Sequence, residues 1–263
     1  MKAIRSADNP RFKVLRKLVQ SSQERKKTGL SVLDGTHLVG AYREHVGLPE
    51  QVAVSSSGRA DVEVQALLAR LPGVEQLELR DELFEKVSSV VTPTGIIGLV
   101  RTPQPELVAR ELGACVLVEE LQDPGNLGSI LRSAAASGIA DVLLSKNSVR
   151  AWSPRVLRAA MGAHFLLRVH EDADLAAVVQ QFQGKVIATS PRGRPLFEAD
   201  LSGNVALVFG NEGGGISPGL LSVAHTVVTV PMPGRAESLN VAAAAAVCLF
   251  ERVRQMSASR SGA

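Results

Sequence analysis

Three short segments of this sequence combine glycine or proline with asparagine and a charged side chain, each directly after an apolar run. The first contains Asn126 and Arg132, the second Glu212, and the third Ser238 and Asn240. Loops that follow parallel strands meet at one edge of a sheet, so this placement predicts a site at the strand ends. Arginine there can bind phosphate or stabilise a developing oxyanion, and a carboxylate can organise hydroxyl groups.

The first segment runs from Leu121 to Arg132 and includes the sequence DPGN before an apolar periodic pattern. We predict a helix that starts after Asn126 and continues to Ser137. Its apolar positions share one face, so Arg132 should point away from the core, near an electropositive helix start where phosphates bind. Considered alone, Arg132 is better explained as an ordinary surface arginine, and Asn126 could be a helix cap.

The second segment, GNEGGG from Gly210 to Gly215, follows a predicted strand over Val205 to Phe209. It lacks the Gly-Lys-Ser/Thr ending of a phosphate-binding loop and does not match Gly-x-Gly-x-x-Gly. The charge of Glu212 also disfavours a phosphate ligand and suits hydroxyl groups or a cationic partner. The glycines would allow the backbone to approach a ligand closely.

The third segment begins at Val230 and contains two prolines before Ser238. The prolines stiffen the chain, and we predict that a helix over Leu239 to Arg254 follows. Ser238 at its start is also what a simple helix cap requires. That helix is apolar nearly all round, which predicts a buried helix or a subunit interface.

Positive charge is concentrated at the amino terminus. The chain has a net charge of +3, but its first 27 residues hold nine basic and two acidic residues, or +7. A phosphate backbone is the ligand that such a basic segment fits, although a solvated basic helix has the same composition. Aromatic residues make up only 3% of the chain, which argues against modules that stack successive bases. The predicted RNA-binding residues are Arg11, Lys13, Arg16 and Lys17.

The two cysteines and the chain start restrict the compartment. Cys115 and Cys248 lie in apolar runs, which predicts buried free thiols in a cytoplasmic protein. Neither the cysteines nor the histidines have metal-ligand spacing, so we expect no metal. The chain start lacks the apolar core of a signal peptide, and no apolar run has transmembrane length, so we expect no membrane association.

Strand and helix patterns alternate in both halves of the chain, which predicts an α/β protein. The sequence TPQP from Thr102 to Pro105 interrupts the alternation and is the best candidate linker. We therefore predict a first domain over residues 1–103 and a second over residues 112–256. The second should contain an open parallel sheet with its ligands at the carboxyl ends of the strands.

Together, the three segments resemble the signature of the SpoU/TrmH family of RNA ribose 2′-O-methyltransferases, which belongs to the SPOUT superfamily. The resemblance covers about Leu112 to Arg254. It implies a parallel-sheet catalytic domain with a C-terminal trefoil knot, S-adenosylmethionine bound in that knot, and a homodimer. The first half resembles the family's smaller α/β substrate-binding domain, which is similar to ribosomal protein L30e, through Asn9, Asp34, Gly35 and Pro93.

The resemblance also implies the residues of the site. The expected catalytic residues are Asn126, Arg132, Glu212, Ser238 and Asn240. The expected cofactor-binding residues are Phe209, Gly210, Asn211, Gly213, Val230, Pro231, Met232 and Leu239.

In this family, the first-motif arginine is described as the base, yet arginine stays protonated in proteins. We therefore expect Arg132 to bind the adjacent phosphate and stabilise the alkoxide, while Glu212 or a water accepts the proton. The expected substrate is structured RNA, with ribosomal RNA first and transfer RNA second. Two alternatives are a catalytically silent RNA-binding protein on the same fold and an RNA base methyltransferase. The occurrence of Asn126 together with Arg132 in the first segment favours methylation of ribose over methylation of a base.

Overall fold

The computed structural model describes residues 2–261. The chain forms two compact units, which are described separately. The first contains Met1–Pro103 together with Trp152–Phe165, and the second contains Gln104–Ala151 and Leu166–Ala263. The family's knot and the predicted domain limits at residues 103 and 112 stay predictions.

The helices and strands follow one another in this order: β1 (Lys2–Ile4), α1 (Pro10–Gln20), α2 (Ser22–Thr28), β2 (Leu30–Asp34), α3 (Thr36–His45), β3 (Gln51–Ser55), α4 (Val62–Ala69), β4 (Glu75–Leu79), α5 (Asp81–Glu85), β5 (Ile96–Arg101), β6 (Cys115–Val118), α6 (Pro124–Ala136), β7 (Asp141–Ser145), α7 (Pro154–Ala160), β8 (Arg168–Ala173), α8 (Leu175–Gln181), β9 (Lys185–Pro195), β10 (Val205–Phe209), α9 (Pro218–Val223), β11 (Thr226–Thr229) and α10 (Val241–Ser261).

The first unit is built on a five-stranded mixed sheet in the order β1-β4-β3-β5-β2. Strand β5 is antiparallel to β2 and β3, while the other neighbours are parallel. Helix α1 is amphipathic: Phe12, Leu15 and Leu18 are buried. They pack in a core with apolar residues of the sheet such as Leu77 and Ile97. The basic residues of α1 therefore face solvent on a helix that is part of the folded unit.

The second unit contains a six-stranded parallel sheet in the order β11-β9-β10-β6-β7-β8. This confirms the parallel sheet predicted from the sequence. Strands β6 and β10 are neighbours, with Val118 opposite Phe209. The first two segments follow these two strands directly, so they meet at the same edge. The chain order reverses between β6 and β10, which is where ligands bind in open α/β sheets.

Strand β9 is long, and its pairing with β11 is interrupted. Ile187 and Ala188 pair with the first half of β11, and Arg194 and Pro195 pair with the second half. Residues 189–193 consequently lie outside the ladder that joins the two strands. A register shift of this kind depends on the partner strand and leaves no periodic pattern in the sequence.

Two helix starts differ from the sequence-based predictions. Helix α6 begins at Pro124, and the Asp123 carboxylate caps it by accepting from the Asn126 N–H at 2.8 Å. Asn126 is therefore not the cap. Helix α10 begins at Val241 and extends to Ser261, and Asn240 is the residue that caps it. Ser238 is not the cap, and Leu239 precedes the helix.

No helix in the described range 2–261 is long and apolar enough to cross a membrane. Within the same range, no group of three or more histidine, cysteine, aspartate or glutamate side chains is arranged to hold a metal ion. Cys115 and Cys248 are free and buried, which confirms that part of the prediction made for them.

Candidate active site

A chain of side-chain hydrogen bonds links the three segments. The Asn240 amide donates to the Asn126 side-chain oxygen at 2.9 Å, and the Asn126 amide donates to Glu212 Oε1 at 3.1 Å. The structure thus brings together three of the five predicted catalytic residues. All three lie in the second unit.

The Glu212 carboxylate is the last acceptor in this series of hydrogen bonds. Its Oε1 also accepts from the Asp123 N–H at 2.9 Å, and its Oε2 accepts from the Gln122 N–H at 3.1 Å. Burial alone would raise the pKa of Glu212. The hydrogen bonds from Asp123, Asn126 and Gln122 outweigh this effect and lower the pKa below its ordinary value of 4.5. Glu212 is therefore ionised at neutral pH and fixes the loop that leads into α6.

The position of Asn240 at the start of α10 determines how its amide is oriented. Its side-chain oxygen accepts from the N–H groups of Ala242 at 2.9 Å and Ala243 at 3.3 Å. Because the oxygen serves as the helix cap, the nitrogen is the atom that faces Asn126. The start of α10 is thereby attached to the first turn of α6.

Asn211 organises the glycine-rich loop from within. Its side-chain oxygen accepts from the N–H groups of Gly213 and Gly214, both at 2.9 Å, and its amide donates to the Glu120 carbonyl at 2.8 Å. Its backbone also pairs with Gly215 in both directions at 2.9 Å. The N–H groups of Gly213 and Gly214 are consequently used inside the loop.

Two of the glycines in this loop are required by its own shape. A Cβ on Gly210 would lie 2.2 Å from the carbonyl atoms of Gly215 and 2.4 Å from the Ile216 nitrogen. Gly215 has a φ of +67°, a conformation that side-chain-bearing residues rarely adopt. The loop packs closely against itself, and this packing explains why both positions are glycine. A bound ligand alone is not needed to explain them. The neighbouring Phe209 side chain is fully buried.

Arg132 lies on the exposed face of α6, as the helical pattern predicts, whereas Ile130 and Leu131 are buried. Its guanidinium forms no hydrogen bond or ion pair with any residue in the described part of the chain. Ser238 is likewise exposed and has no side-chain partner there. Both groups are free to contact a ligand.

The third segment keeps its backbone groups unused. From residue 230 to residue 239 no backbone N–H or carbonyl takes part in a hydrogen bond with the described residues. Val230 and Met232 are half-buried, and Leu239 is 40% exposed. Free backbone donors and acceptors next to apolar side chains can hold the edge of a flat heterocycle such as adenine.

The predicted RNA-binding residues of α1 fall into two pairs. Arg11 donates to Glu75 at 2.5 Å, and Lys13 lies 2.9 Å from Asp8. The Glu75 pKa is lowered to about 2 by its hydrogen bonds with Arg11, Lys2 and Gln51. By contrast, the exposed side chains of Arg16 and Lys17 form no ion pair within the described chain.

Sequence reasoning missed the roles of Gln122 and Asp123, which hold Glu212 and cap α6. The pattern of Asp123 followed by Pro124 did carry a signal, because a capping residue before proline is typical of a helix start. Nothing in the sequence marks the backbone N–H of Gln122 as a partner of Glu212, which lies 90 positions away.

Comparison with known families agrees with this geometry. Residues 113–250 match the model of the SpoU rRNA Methylase family. Residues 9–98 match the MRM3-like substrate binding domain. The two matches correspond to the parts of the chain that contain the site and the basic helix α1.

Individual proteins show the same likeness over nearly the whole chain. The 23S rRNA (guanosine(2553)-2'-O)-methyltransferase RlmP of Bacillus subtilis is 33% identical over 95% of this chain and 98% of its own. A crystal structure of an RNA 2'-O ribose methyltransferase has a TM-score of 0.82 with 31% identity, covering 97% of this chain and 99% of its own. The AdoMet-bound rRNA methyltransferase of Sinorhizobium meliloti has a TM-score of 0.83 with 27% identity, covering 97% of this chain and 98% of its own. On these grounds, this chain belongs to the SpoU rRNA methylase family.

Proposed function

We propose that this protein transfers a methyl group from S-adenosylmethionine to a ribose 2′-hydroxyl of ribosomal RNA. The observation that carries the proposal is the hydrogen-bonded chain from Asn240 through Asn126 to Glu212, which joins all three segments in one site. The exposed, unpaired Arg132 lies on α6, the helix whose first turn these hydrogen bonds hold in place. The names of the relatives above support ribosomal RNA as the substrate class, and transfer RNA is the second candidate.

The cofactor fits the third segment and the loop beside it. The unused backbone groups from Val230 to Leu239, with the side chain of Met232, would hold the adenine and methionine parts. Pro231, Gly210 and Asn211 would form part of the wall of the cofactor pocket. Gly213 would belong to the same wall, in the loop that Asn211 fixes. Phe209 is buried, and its carbonyl accepts from the Glu119 N–H at 2.8 Å, so it would support the pocket from beneath rather than contact the cofactor. When bound, the cofactor supplies an electrophilic methyl group on a sulfonium, which is already a good leaving centre.

Arg132 would bind the phosphate beside the target ribose and stabilise negative charge as the 2′-oxygen loses its proton. A guanidinium suits this role because it stays charged and grips phosphate through a planar fork. The exposed hydroxyl of Ser238 would contact the target nucleotide. Asn126 and Asn240 would hold the starts of α6 and α10 together, so that the 2′-hydroxyl and the methyl donor lie in line.

Glu212 is a poor proton acceptor, because its lowered pKa makes the carboxylate a weak base. Three donors already occupy its two oxygens. Between the two acceptors considered from the sequence, we therefore favour a water and assign Glu212 to positioning. The proton would leave the 2′-hydroxyl as the methyl–oxygen bond forms.

We further propose a homodimer that uses α10. Phe250 on this helix is 49% exposed, Leu239 just before it is 40% exposed, and Ala243 is exposed. A second copy would cover this apolar surface. Sedimentation should show a dimer at micromolar concentration. Phe250→Glu should produce monomers, while the control Phe197→Glu, at another exposed phenylalanine, should not.

Location in the cytoplasm is also a proposal, and it is supported by two free buried cysteines, which reducing compartments preserve.

The function is tested by incubating the protein with methyl-labelled S-adenosylmethionine and ribosomal RNA from a strain that lacks this gene. We expect label in one ribosomal RNA. RNA binding without label or cofactor binding would support the catalytically silent alternative and refute the proposal.

A further inference from the structure

The interrupted strand β9 presents two arginines beside the proposed cofactor residues. We call residues 189–194 the arginine loop; it contains Arg192 and Arg194, both exposed. Neither forms a hydrogen bond or ion pair through its side chain with the described residues. No acidic residue occurs between Lys185 and Glu198, so the local charge is not neutralised along the chain.

The arginine loop is held firmly in place. The Thr189 hydroxyl donates to the Val208 carbonyl at 2.9 Å, and the Thr229 hydroxyl donates to the Pro191 carbonyl at 3.4 Å. Gly193 lies so close to β11 that a Cβ there would be 2.7 Å from the Val228 carbonyl carbon. The loop therefore has a fixed position between β10 and β11.

These anchors connect the loop to the proposed cofactor site. Val208 is followed by Phe209 and Gly210, and Thr229 is followed by Val230. The arginine loop is thus attached to the two strands whose ends carry the proposed cofactor residues. A nucleotide that reaches the methyl donor must bring the phosphates of its own strand to the same edge of the sheet.

Three other cations of this unit are neutralised by ion pairs. Arg150, Arg168 and Lys185 each form an ion pair with an aspartate. Only Gly193 separates Arg192 from Arg194, so both side chains belong to one short segment. Two unpaired arginines two positions apart on an anchored loop can bind anionic oxygens.

We propose that Arg192 and Arg194 bind phosphates of the RNA strand that carries the target ribose. This inference rests on the proposed function and adds an RNA contact in the methyltransferase unit to the one predicted on α1. The carboxylate of the cofactor's methionine part is an anion of similar chemistry, and the experiment separates the two.

The experiment compares Arg192→Gln, Arg194→Gln and the double variant with Arg110→Gln, an exposed arginine of the same unit without an ion pair in the described chain. RNA affinity is measured with a short fluorescent oligouridine at several salt concentrations, since phosphate contacts do not depend on sequence. Affinity for the demethylated cofactor is measured by calorimetry without RNA.

The double variant should bind the oligouridine about tenfold more weakly, and its salt dependence should be shallower by about 1.4 in log–log slope. Cofactor affinity and the behaviour of Arg110→Gln should match the wild type. Unchanged RNA affinity and slope would overturn the inference, as would a loss of cofactor affinity alone. If the double variant shows these RNA effects but the wild type transfers no methyl group, the proposed function is refuted and the phosphate contacts remain supported.

Discussion

The Asn126 side-chain oxygen accepts a hydrogen bond from the Asn240 amide at 2.9 Å, although the two residues are 114 positions apart. Each asparagine is fixed by a second partner: Asn126 donates to Glu212, and Asn240 caps α10. The start of α6, the glycine-rich loop and the start of α10 are therefore positioned together. Loss of one member should disturb the other two.

Replacement of Asn126 tests this coupling. Asn126→Ala leaves the Asn240 amide without its acceptor and removes one donor from Glu212, so we expect about 1–2 kcal/mol less stability. Turnover should fall by roughly 10²-fold because the site loses its alignment. Urea unfolding and steady-state kinetics measure the two effects. Ser129→Ala, on the exposed face of the same helix, is the control and should change neither.

Arg132→Ala should reduce turnover by about 10²-fold or more, the scale of losing one group that stabilises the transition state. Cofactor affinity should stay nearly constant, since the proposed cofactor residues lie in other segments. Arg132→Lys should restore turnover only partly, because lysine lacks the planar fork. Kinetics and calorimetry on the same preparations provide the test. Full turnover in Arg132→Ala would disprove the assigned role.

The free and paired cations of α1 should differ in their contribution to RNA binding. Neutralising Arg16 and Lys17 should weaken RNA affinity and flatten its salt dependence, with turnover at saturating RNA largely kept. Neutralising Arg11 and Lys13 should have a smaller effect, since Glu75 and Asp8 already balance their charge. Binding measured at several salt concentrations compares the two double variants. Equal losses would show that the ion pairs open when RNA binds.

The lowered pKa of Glu212 predicts how stability depends on pH. A carboxylate whose folded pKa is below its ordinary value of 4.5 stabilises the protein above pH 4.5, and this contribution is lost as pH falls through the lowered value. Wild type should therefore exceed Glu212→Gln in stability at pH 7, with a difference that shrinks under acid conditions. Urea unfolding across this range measures it. A constant difference would contradict the prediction.

The two cysteines should be unreactive in the native protein. Cys115 and Cys248 are fully buried, and burial raises the pKa of each thiol to about 12. A thiol-specific reagent at pH 8 should label both cysteines in urea and neither without it. Rapid labelling of the folded protein would show that one of the two sites opens.

The sequence contained enough information for the α/β class, the parallel sheet and the outward position of Arg132, because all three depend on periodicity. It did not identify the starts of α6 and α10 correctly. Asp123 and Asn126 are both capping residue types, as are Ser238 and Asn240, and only the fold decides which one meets the free N–H groups. The arginine loop was missed because the register of β9 depends on β11.

The position of the transferred methyl group tests the central claim most directly. Ribosomal RNA from a strain without this gene is methylated by the purified protein and then hydrolysed with alkali. Ribose 2′-O-methylation should leave one labelled dinucleotide resistant to cleavage, since the blocked oxygen cannot attack the adjacent phosphate. Label found only in mononucleotides, on a base nitrogen or carbon, would contradict ribose methylation and establish a base methyltransferase.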